Sequence, residues 1–451
     1  METIKKKRMI SPFKILAIGF ATVILTGGIL LSLPVSSISG ESTSLLDSIF
    51  TATSAVCVTG LVVVDTGTYW SLFGQGVILT LIEIGGLGFM AMSTIFALLV
   101  GKRISLRERL IMQEAYNTFT LQGIISHVRY MLIFTVTVQG IASLILMTQF
   151  IPLYGVGTGI YYGVFHSISA FNNAGFDLLG DFTSLTVLNE NKIILITIGM
   201  LINIGGLGYL VWREIFGSIK TRKKLKNFSL HTKVVLMISA VLLITGTLAM
   251  LIFEWNNPVT MEHMTFGNKL TNSFFSATTP RTAGFNSISN SDMTAASKLV
   301  TMIYMFIGGS PGSTAGGVKT TTLGIVIFTL ISVLKGRDET EVFGKRLSQP
   351  TVYRAVSVFM LGISIVIVGV MILSISEVGA AFEIILYEVL SAFGTVGLTQ
   401  GLTPTLSITG RVVITIIMYL GRVGPLTVML ALAGKQEKVN IKYPEGKLLI
   451  G

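Results

Sequence analysis

Four short stretches of this chain end in glycine and repeat one pattern, and their spacing limits what the chain can fold into more than any other feature. They read Ser54-Ala55-Val56-Cys57-Val58-Thr59-Gly60, Ser169-Ala170-Phe171-Asn172-Asn173-Ala174-Gly175, Thr278-Thr279-Pro280-Arg281-Thr282-Ala283-Gly284 and Ser391-Ala392-Phe393-Gly394-Thr395-Val396-Gly397. Each has Ser or Thr six residues before the final glycine, a short amphipathic run ahead of that, and Leu or Phe straight after it. The final glycines are spaced by roughly 110 residues, a near-constant period that implies four copies of a whole subdomain rather than a solenoid of short repeats.

Composition places those subdomains in a membrane. Of 451 residues, 51% are hydrophobic and only 12% charged, with a mean hydropathy of +0.76, which is far more apolar than a soluble chain of this size. The single cysteine, Cys57, permits no intrachain disulfide, and no paired Cys/His spacing suggests a structural metal. The net charge of +11 is carried by short basic clusters between apolar spans. That distribution is a topology signal, not the footprint of nucleic-acid binding.

The first unit, 13–101, follows a cytoplasmic amino-terminal segment, 1–12, that holds Lys5-Lys6-Lys7-Arg8. Its first span, about 13–33, is long, ends at Pro34 and lacks a small-residue cleavage site, so it reads as a membrane helix and not as a signal peptide. The run 45–53 is too short to cross about 30 Å of hydrocarbon and leads into the glycine motif, as expected of a re-entrant half-helix buried in protein. A second span runs to Val100, with Lys102, Arg103, Arg107 and Arg109 beyond it.

The second unit, 127–220, repeats the plan with a span over 127–151, a half-helix over 161–170 and a span over 193–219 that runs into a basic cluster at 220–226. Ile84-Gly85-Gly86-Leu87-Gly88-Phe89 reappears as Ile204-Gly205-Gly206-Leu207-Gly208-Tyr209, which supports duplication. In the third unit, 230–335, the spans are 232–255 and 295–334 and the half-helix is 271–277. Here the second span is interrupted by Gly308-Gly309-Ser310-Pro311-Gly312-Ser313-Thr314-Ala315-Gly316-Gly317, through which no helix runs intact. Unwound backbone is therefore expected at membrane depth, where protein or a water-filled cavity must satisfy its polar groups. The fourth unit, 352–434, has spans at 352–375 and 412–432 and a half-helix at 381–392, and a cytoplasmic tail, 435–451, closes the chain.

Loop charge agrees with one topology. Basic clusters at 5–8, 102–109, 220–226, 335–346 and 435–447 alternate with loops holding Glu41, Asp65, Asp177, Asp181, Glu190, Glu262, Asp292 and Glu377. Eight spanning helices with both termini in the cytoplasm satisfy the positive-inside rule in every loop. The expected fold is thus an all-α, multi-pass cell-membrane protein with four tandem helix, pore-loop, helix units around one pseudo-fourfold pore.

Four units about one axis bring four glycine loops together on that axis, and glycine lets a loop turn its carbonyls inward. A ring of carbonyl oxygens replaces the hydration shell of an alkali cation, and the negative ends of four half-helix dipoles point the same way. The residues expected to line such a ring are Val58, Thr59 and Gly60; Asn173, Ala174 and Gly175; Thr282, Ala283 and Gly284; and Thr395, Val396 and Gly397.

This combination of four units, four filter glycines and a glycine-rich break in the third unit resembles the Ktr/Trk/HKT superfamily of potassium transporters over essentially the whole chain. Without extra amino-terminal helices, it looks like the membrane subunit of a bacterial Ktr system. The resemblance implies potassium uptake that sodium stimulates and a homodimer with one pore per subunit. It also implies a cytoplasmic ring of regulatory subunits that alone carry nucleotide. No covalent cofactor and no nucleic-acid partner are implied, and the remaining partner is membrane lipid. Each loop here has one glycine where a TVGYG filter stacks several carbonyl rings, so weaker discrimination against sodium is expected.

Ionisable residues inside the spans have two readings each. Arg422, in Gly421-Arg422-Val423-Gly424-Pro425, is either a positive charge beneath the ring that bonds to the broken span or half of a structural ion pair with Glu83. Glu83 aligns with Asn203 and equally suits a packing role. His166, Asp47 and Glu388 lie in half-helices and are expected to meet neighbouring polar groups, and Lys319 either anchors the broken segment or reaches the interface. The segment Gly312, Ser313, Thr314, Ala315, Gly316 and Gly317 is read as a gate across the pore, against the alternative that its small residues only permit close helix packing. A sodium- or proton-coupled secondary transporter of another small cation is the alternative function, but it would be expected to show inverted repeats, whereas these share one orientation. Four scattered histidines and one cysteine give no convergent catalytic cluster, which argues against an enzyme.

Overall fold

The computed structural model describes residues 12–88, 90–92, 94, 110–113, 124–221, 227–432 and 444. The basic segments expected at 5–8, 102–109 and 222–226, and nearly all of the tail 435–451, lie outside the described residues. Among the described residues four helices are long and apolar enough to cross a membrane: α1 (Pro12–Ser32), α5 (Ile124–Tyr154), α9 (Leu230–Glu254) and α13 (Gln349–Ser376). Their mixed exposure, with Ile18, Leu25, Ile133, Ile244 and Ile375 uncovered, is that of helices with one face toward lipid.

Each long helix is followed by a short one that does not cross. These are α2 (Leu45–Val56), α6 (Val156–Phe171), α10 (Phe266–Thr278) and α14 (Phe382–Gly394). α6 and α10 begin five residues ahead of the half-helices expected from sequence, and at α10 Thr265 caps the earlier start by accepting from the Asn268 amide; α2 begins where expected, with Ser44 accepting from the Asp47 amide, and runs on to Val56. Their carboxyl-terminal halves are almost wholly buried, with Phe50, Phe171, Phe275 and Phe393 fully enclosed.

In the first, second and fourth units the second helix differs from the expectation. After the one-turn α3 (Thr66–Tyr69), α4 (Leu72–Leu87) is a 16-residue helix that stops at its glycine, as are α7 (Lys192–Leu207) and α15 (Ile408–Val423), each rising only about 24 Å. Continuous spans over 193–219 and 412–432 were expected. Instead α7 turns by 96° into α8 (Tyr209–Thr221), and α15 turns by 94° into α16 (Pro425–Leu432). The cause is a glycine in left-handed backbone at each break: Gly88 at φ +86°, Gly208 at +93° and Gly424 at +92°. In the third unit α11 (Ala295–Phe306) and α12 (Thr320–Leu334) are separated by the glycine-rich segment, as expected. Among the described residues length and composition therefore give four spans, or six when each bent pair counts as one.

Polar contacts join the units in cyclic order, each second helix bonding to the next half-helix. Glu83 on α4 accepts from Asn172 Nδ2 at the end of α6 (2.6 Å), and Asn203 on α7 donates to Thr278 Oγ1 at the end of α10 (3.3 Å). Lys298 on α11 pairs with Glu383 on α14 (3.2 Å), and Arg411 on α15 pairs with Asp47 on α2 (2.5 Å). Glu83 and Asn203, aligned in the sequence, thus do the same work. The apolar core lies behind the loops in two main bodies, one around Trp70, Phe50, Tyr387 and Phe393, the other around Phe150, Phe171, Phe275 and Phe285.

Candidate functional site

The four half-helices aim their carboxyl ends at one place, where the four glycine loops meet. A Cβ added to Gly60 would lie 2.6 Å from the Ala174 carbonyl oxygen, one on Gly175 2.8 Å from that of Ala283, and one on Gly284 2.6 Å from that of Val396. One on Gly397 would run into the Thr59 carbonyl oxygen, which closes the circle. Each glycine therefore faces the carbonyl that precedes the glycine of the next loop. Every one of them has positive φ, from +72° to +93°.

A second regularity lies two residues earlier. Val58, Asn173, Thr282 and Thr395 all hold left-handed backbone, with φ of 50°, 61°, 72° and 51°. Three of these are β-branched residues, which adopt this region only where surrounding structure enforces it. No sequence signal marked them, because their side chains argue against the conformation. The enforcement is visible in the loop closures: the amides of Thr59, Ala174 and Val396 donate to the carbonyls of Ser54, Ser169 and Ser391, each at 2.8 Å.

The Ser/Thr ahead of each loop acquires a role that its recurrence only hinted at. Ser54 Oγ accepts from the Gly60 amide (3.0 Å), and Ser391 Oγ from the Gly397 amide (3.1 Å). Ser169 Oγ accepts from the Phe176 amide at 3.0 Å and donates to its carbonyl at 2.7 Å. In the third copy the alignment on Thr278 needs correcting by one residue. Thr279 closes that loop onto the Phe285 carbonyl, while Thr278 bonds the Phe274 carbonyl in its own helix. Arg281, which the sequence reading passed over, is buried behind the same loop with Nη2 donating to Ser239 Oγ at 3.2 Å.

Beneath the ring the segment 308–319 folds across the ends of the broken second helices. Helix ends leave carbonyls unsatisfied, and the breaks at Gly208 and Gly88 put those carbonyls to use. Gly206 O accepts from the Ser310 amide (2.9 Å), Gly205 O from the Thr314 amide (3.3 Å), and the Tyr209 amide donates to Gly312 O (3.0 Å). Arg422 donates to Thr314 O through Nη1 and to Gly85 O through Nη2. Lys319 Nζ donates to Ala315 O. The segment closes at its base, where Gly308 N donates to Val318 O (2.9 Å). The recurring Ile-Gly-Gly-Leu-Gly run, read from sequence as a mark of duplication, is thus also a pair of helix breaks that seat this segment and its arginine.

Of the two readings of Arg422, the geometry gives the bond to the broken segment, since Glu83 is engaged by Asn172 and by Gln139 Nε2 at 3.0 Å. His166, Asp47 and Glu388 meet polar neighbours. His166 accepts from the Leu178 amide at 3.4 Å and lies 2.8 Å from Tyr162 O, while Glu388 accepts from Thr399 Oγ1 at 2.7 Å and from Thr403 Oγ1. A cavity of about 1350 Å³ extends from Gly312, Ser313 and Arg422 past Lys319 to Glu214 and His231.

Four inward half-helix ends and a closed circle of carbonyls suit a partly dehydrated cation. A multi-pass helical membrane protein of this build is a cation-translocating protein. The TrkH family, described as cation transport protein, matches residues 6–442, and the chain belongs to that family. It is a transporter and not an enzyme. The chain is 45% identical to the potassium/sodium uptake protein NtpJ of Enterococcus hirae and 42% identical to the Ktr system potassium uptake protein B of Bacillus subtilis, in each case over the full length of both chains. It is 36% identical to the Ktr system potassium uptake protein B of Vibrio alginolyticus, over 97% of this chain and 94% of that one. The solved structure of the potassium transporter TrkH from Vibrio parahaemolyticus shares the fold, with a TM-score of 0.72, 16% identity, and coverage of 96% of this chain and 86% of that one.

Proposed function

We propose that this chain carries potassium into the cell through the glycine ring, which acts as the selectivity filter, and that the segment 312–317 is the gate beneath it. The observation that carries this reading is the closed circle in which Gly60, Gly175, Gly284 and Gly397 each face the carbonyl before the next glycine. On this reading the carbonyls of residues 58–60, 173–175, 282–284 and 395–397 replace the ion's water, and Arg422 holds the gate closed. Four units with eight spans surround the pore when each broken second helix is counted as one crossing, and the positive-inside rule sets both termini in the cytoplasm.

The names of the Ktr relatives describe a system, and a multi-component assembly suits a gate that something must pull. We assign to this chain a homodimeric state and a cytoplasmic nucleotide-binding ring, reached through the basic segments at 102–109 and 220–226. A partner drawing on the helix that begins at Thr320 would withdraw the gate. Sodium stimulation accords with the potassium/sodium name of the relative from Enterococcus hirae. Rubidium and potassium flux into liposomes holding the purified chain, with and without sodium, tests the reading. Saturable potassium uptake is expected, and a chain that moves neither ion would overturn it.

A further inference from the structure

The gate segment is bonded to the filter itself as well as to the helices around it. Thr314 is fully buried, and its hydroxyl lies 3.3 Å from Asn173 Oδ1 and 3.2 Å from Phe171 O. Asn173 passes the contact on, with Nδ2 at 3.3 Å from Thr282 Oγ1 and 3.5 Å from Arg281 O in the next loop. On the other side Gly316 packs against Thr395, so closely that a Cβ on Gly316 would overlap Thr395 Oγ1. That hydroxyl is buried and has no hydrogen-bond partner. Asn173, Thr282 and Thr395 are three of the four left-handed residues that set the direction of the ring carbonyls. Val58 in the first unit is the fourth and offers no polar group.

We infer that Thr314 and Gly316 form a latch through which the position of the gate fixes the geometry of the filter, so that potassium preference depends on whether the segment is seated. This rests on the reading that the ring selects and the segment gates. With the segment in place, the Thr314 hydroxyl proton is shared between Asn173 Oδ1 and Phe171 O, and Thr395 is covered. Withdrawal leaves a buried amide oxygen unpaired and opens the Thr395 hydroxyl to the cavity, and both groups must find water, another side chain or the ion itself. Left-handed backbone at three non-glycine residues persists only while its surroundings hold it. The inner rim of the ring therefore changes when the gate moves, and opening and selection are coupled.

Thr314→Val tests this with little change of shape, since it removes the hydroxyl and keeps the carbonyl that Arg422 holds. Potassium half-saturation and the potassium-to-sodium flux ratio are measured for the full chain in liposomes. The latch predicts a rise of roughly fivefold in half-saturation, as expected for one buried hydrogen bond, and a fall in the flux ratio. It also predicts return toward wild type in Thr314→Ser, and no added effect of Thr314→Val in a chain already carrying Asn173→Ala. Gly316→Ala disturbs the other side of the latch, should shift the same ratio, and decides the matter if Thr314→Val does not fold. A wild type that carries potassium, with Thr314→Val and Gly316→Ala altering maximal flux but neither half-saturation nor ratio, would leave the segment a plain plug and overturn the latch. A wild type that carries neither ion overturns the reading of the ring and the latch with it.

Discussion

The ring and the layer just beneath it are built in opposite ways. In the ring, four sequences with only glycine in common adopt one backbone, including the left-handed residue two places before each glycine. Beneath it the four units diverge. Two share the Ile-Gly-Gly-Leu-Gly break, one ends at Gly424 after Arg422, and one opens into a loop. Where four loops meet on an axis each must present the same atoms, so backbone is fixed and side chains are freer to vary. One step away, a single asymmetric segment lies across the helix ends, and the other units need only offer it acceptors.

The largest effect should come from breaking the equivalence in the ring. Gly284→Ser puts a Cβ within 2.6 Å of Val396 O at φ +79°, a conformation that costs an L residue about 1–2 kcal/mol before any clash. Potassium half-saturation measured by tracer uptake should rise roughly tenfold or more at normal expression, and Gly60→Ser should behave alike. Unchanged values in either would show that the four loops are not equal partners.

The next effect sharpens the contrast from below. Deleting 312–316 should raise tracer flux severalfold and lessen dependence on a cytoplasmic partner, because the segment is one unit's property, while the loss of Thr314 and Gly316 lowers the potassium-to-sodium flux ratio as the latch requires. Arg422→Gln should move flux the same way but less, since loss of charge-assisted bonds to Thr314 O and Gly85 O weakens the closed state by about 1.5–3 kcal/mol. A well-expressed deletion with wild-type flux would sink the gate.

Smaller changes distinguish the two broken helices. Gly208→Ala forces left-handed alanine and sets its Cβ 2.8 Å from Pro311 O, so it should both lower the melting temperature and raise leak. At Gly424 the nearest atom is Thr427 Oγ1 at 3.6 Å, and Gly424→Ala should show only the backbone cost, about 1 kcal/mol, in the melt. Equal leak in the two would separate the break at Gly208 from the gate.

The smallest effect falls on loop closure. Ser391→Ala leaves the buried Gly397 amide without its 3.1 Å partner and should cost about 0.5–1 kcal/mol, read as a two- to fivefold rise in half-saturation. In the third unit the same test separates neighbours, with Thr279→Val expected to raise half-saturation and Thr278→Val to act mainly on the melt. The reverse order would restore the alignment on Thr278.

By itself the sequence determined the membrane class, the long helices, the half-helices and the four glycines, because apolar length and glycine recurrence are local properties of the chain. The break at 308–317 was legible for the same reason, since Gly and Pro forbid a helix wherever they cluster. The breaks at Gly208 and Gly424 were not, although each lies in a glycine-containing run, because small residues are common inside membrane helices, and a turn is decided by what takes up the freed carbonyls. The roles of Ser54, Ser169, Thr279 and Ser391, the left-handed turn at Val58, Asn173, Thr282 and Thr395, and the bond of Arg422 to Thr314 and Gly85 rather than to Glu83 also came only with the tertiary structure. Each depends on partners up to hundreds of residues away, and a buried polar group takes its function from the neighbour that satisfies it.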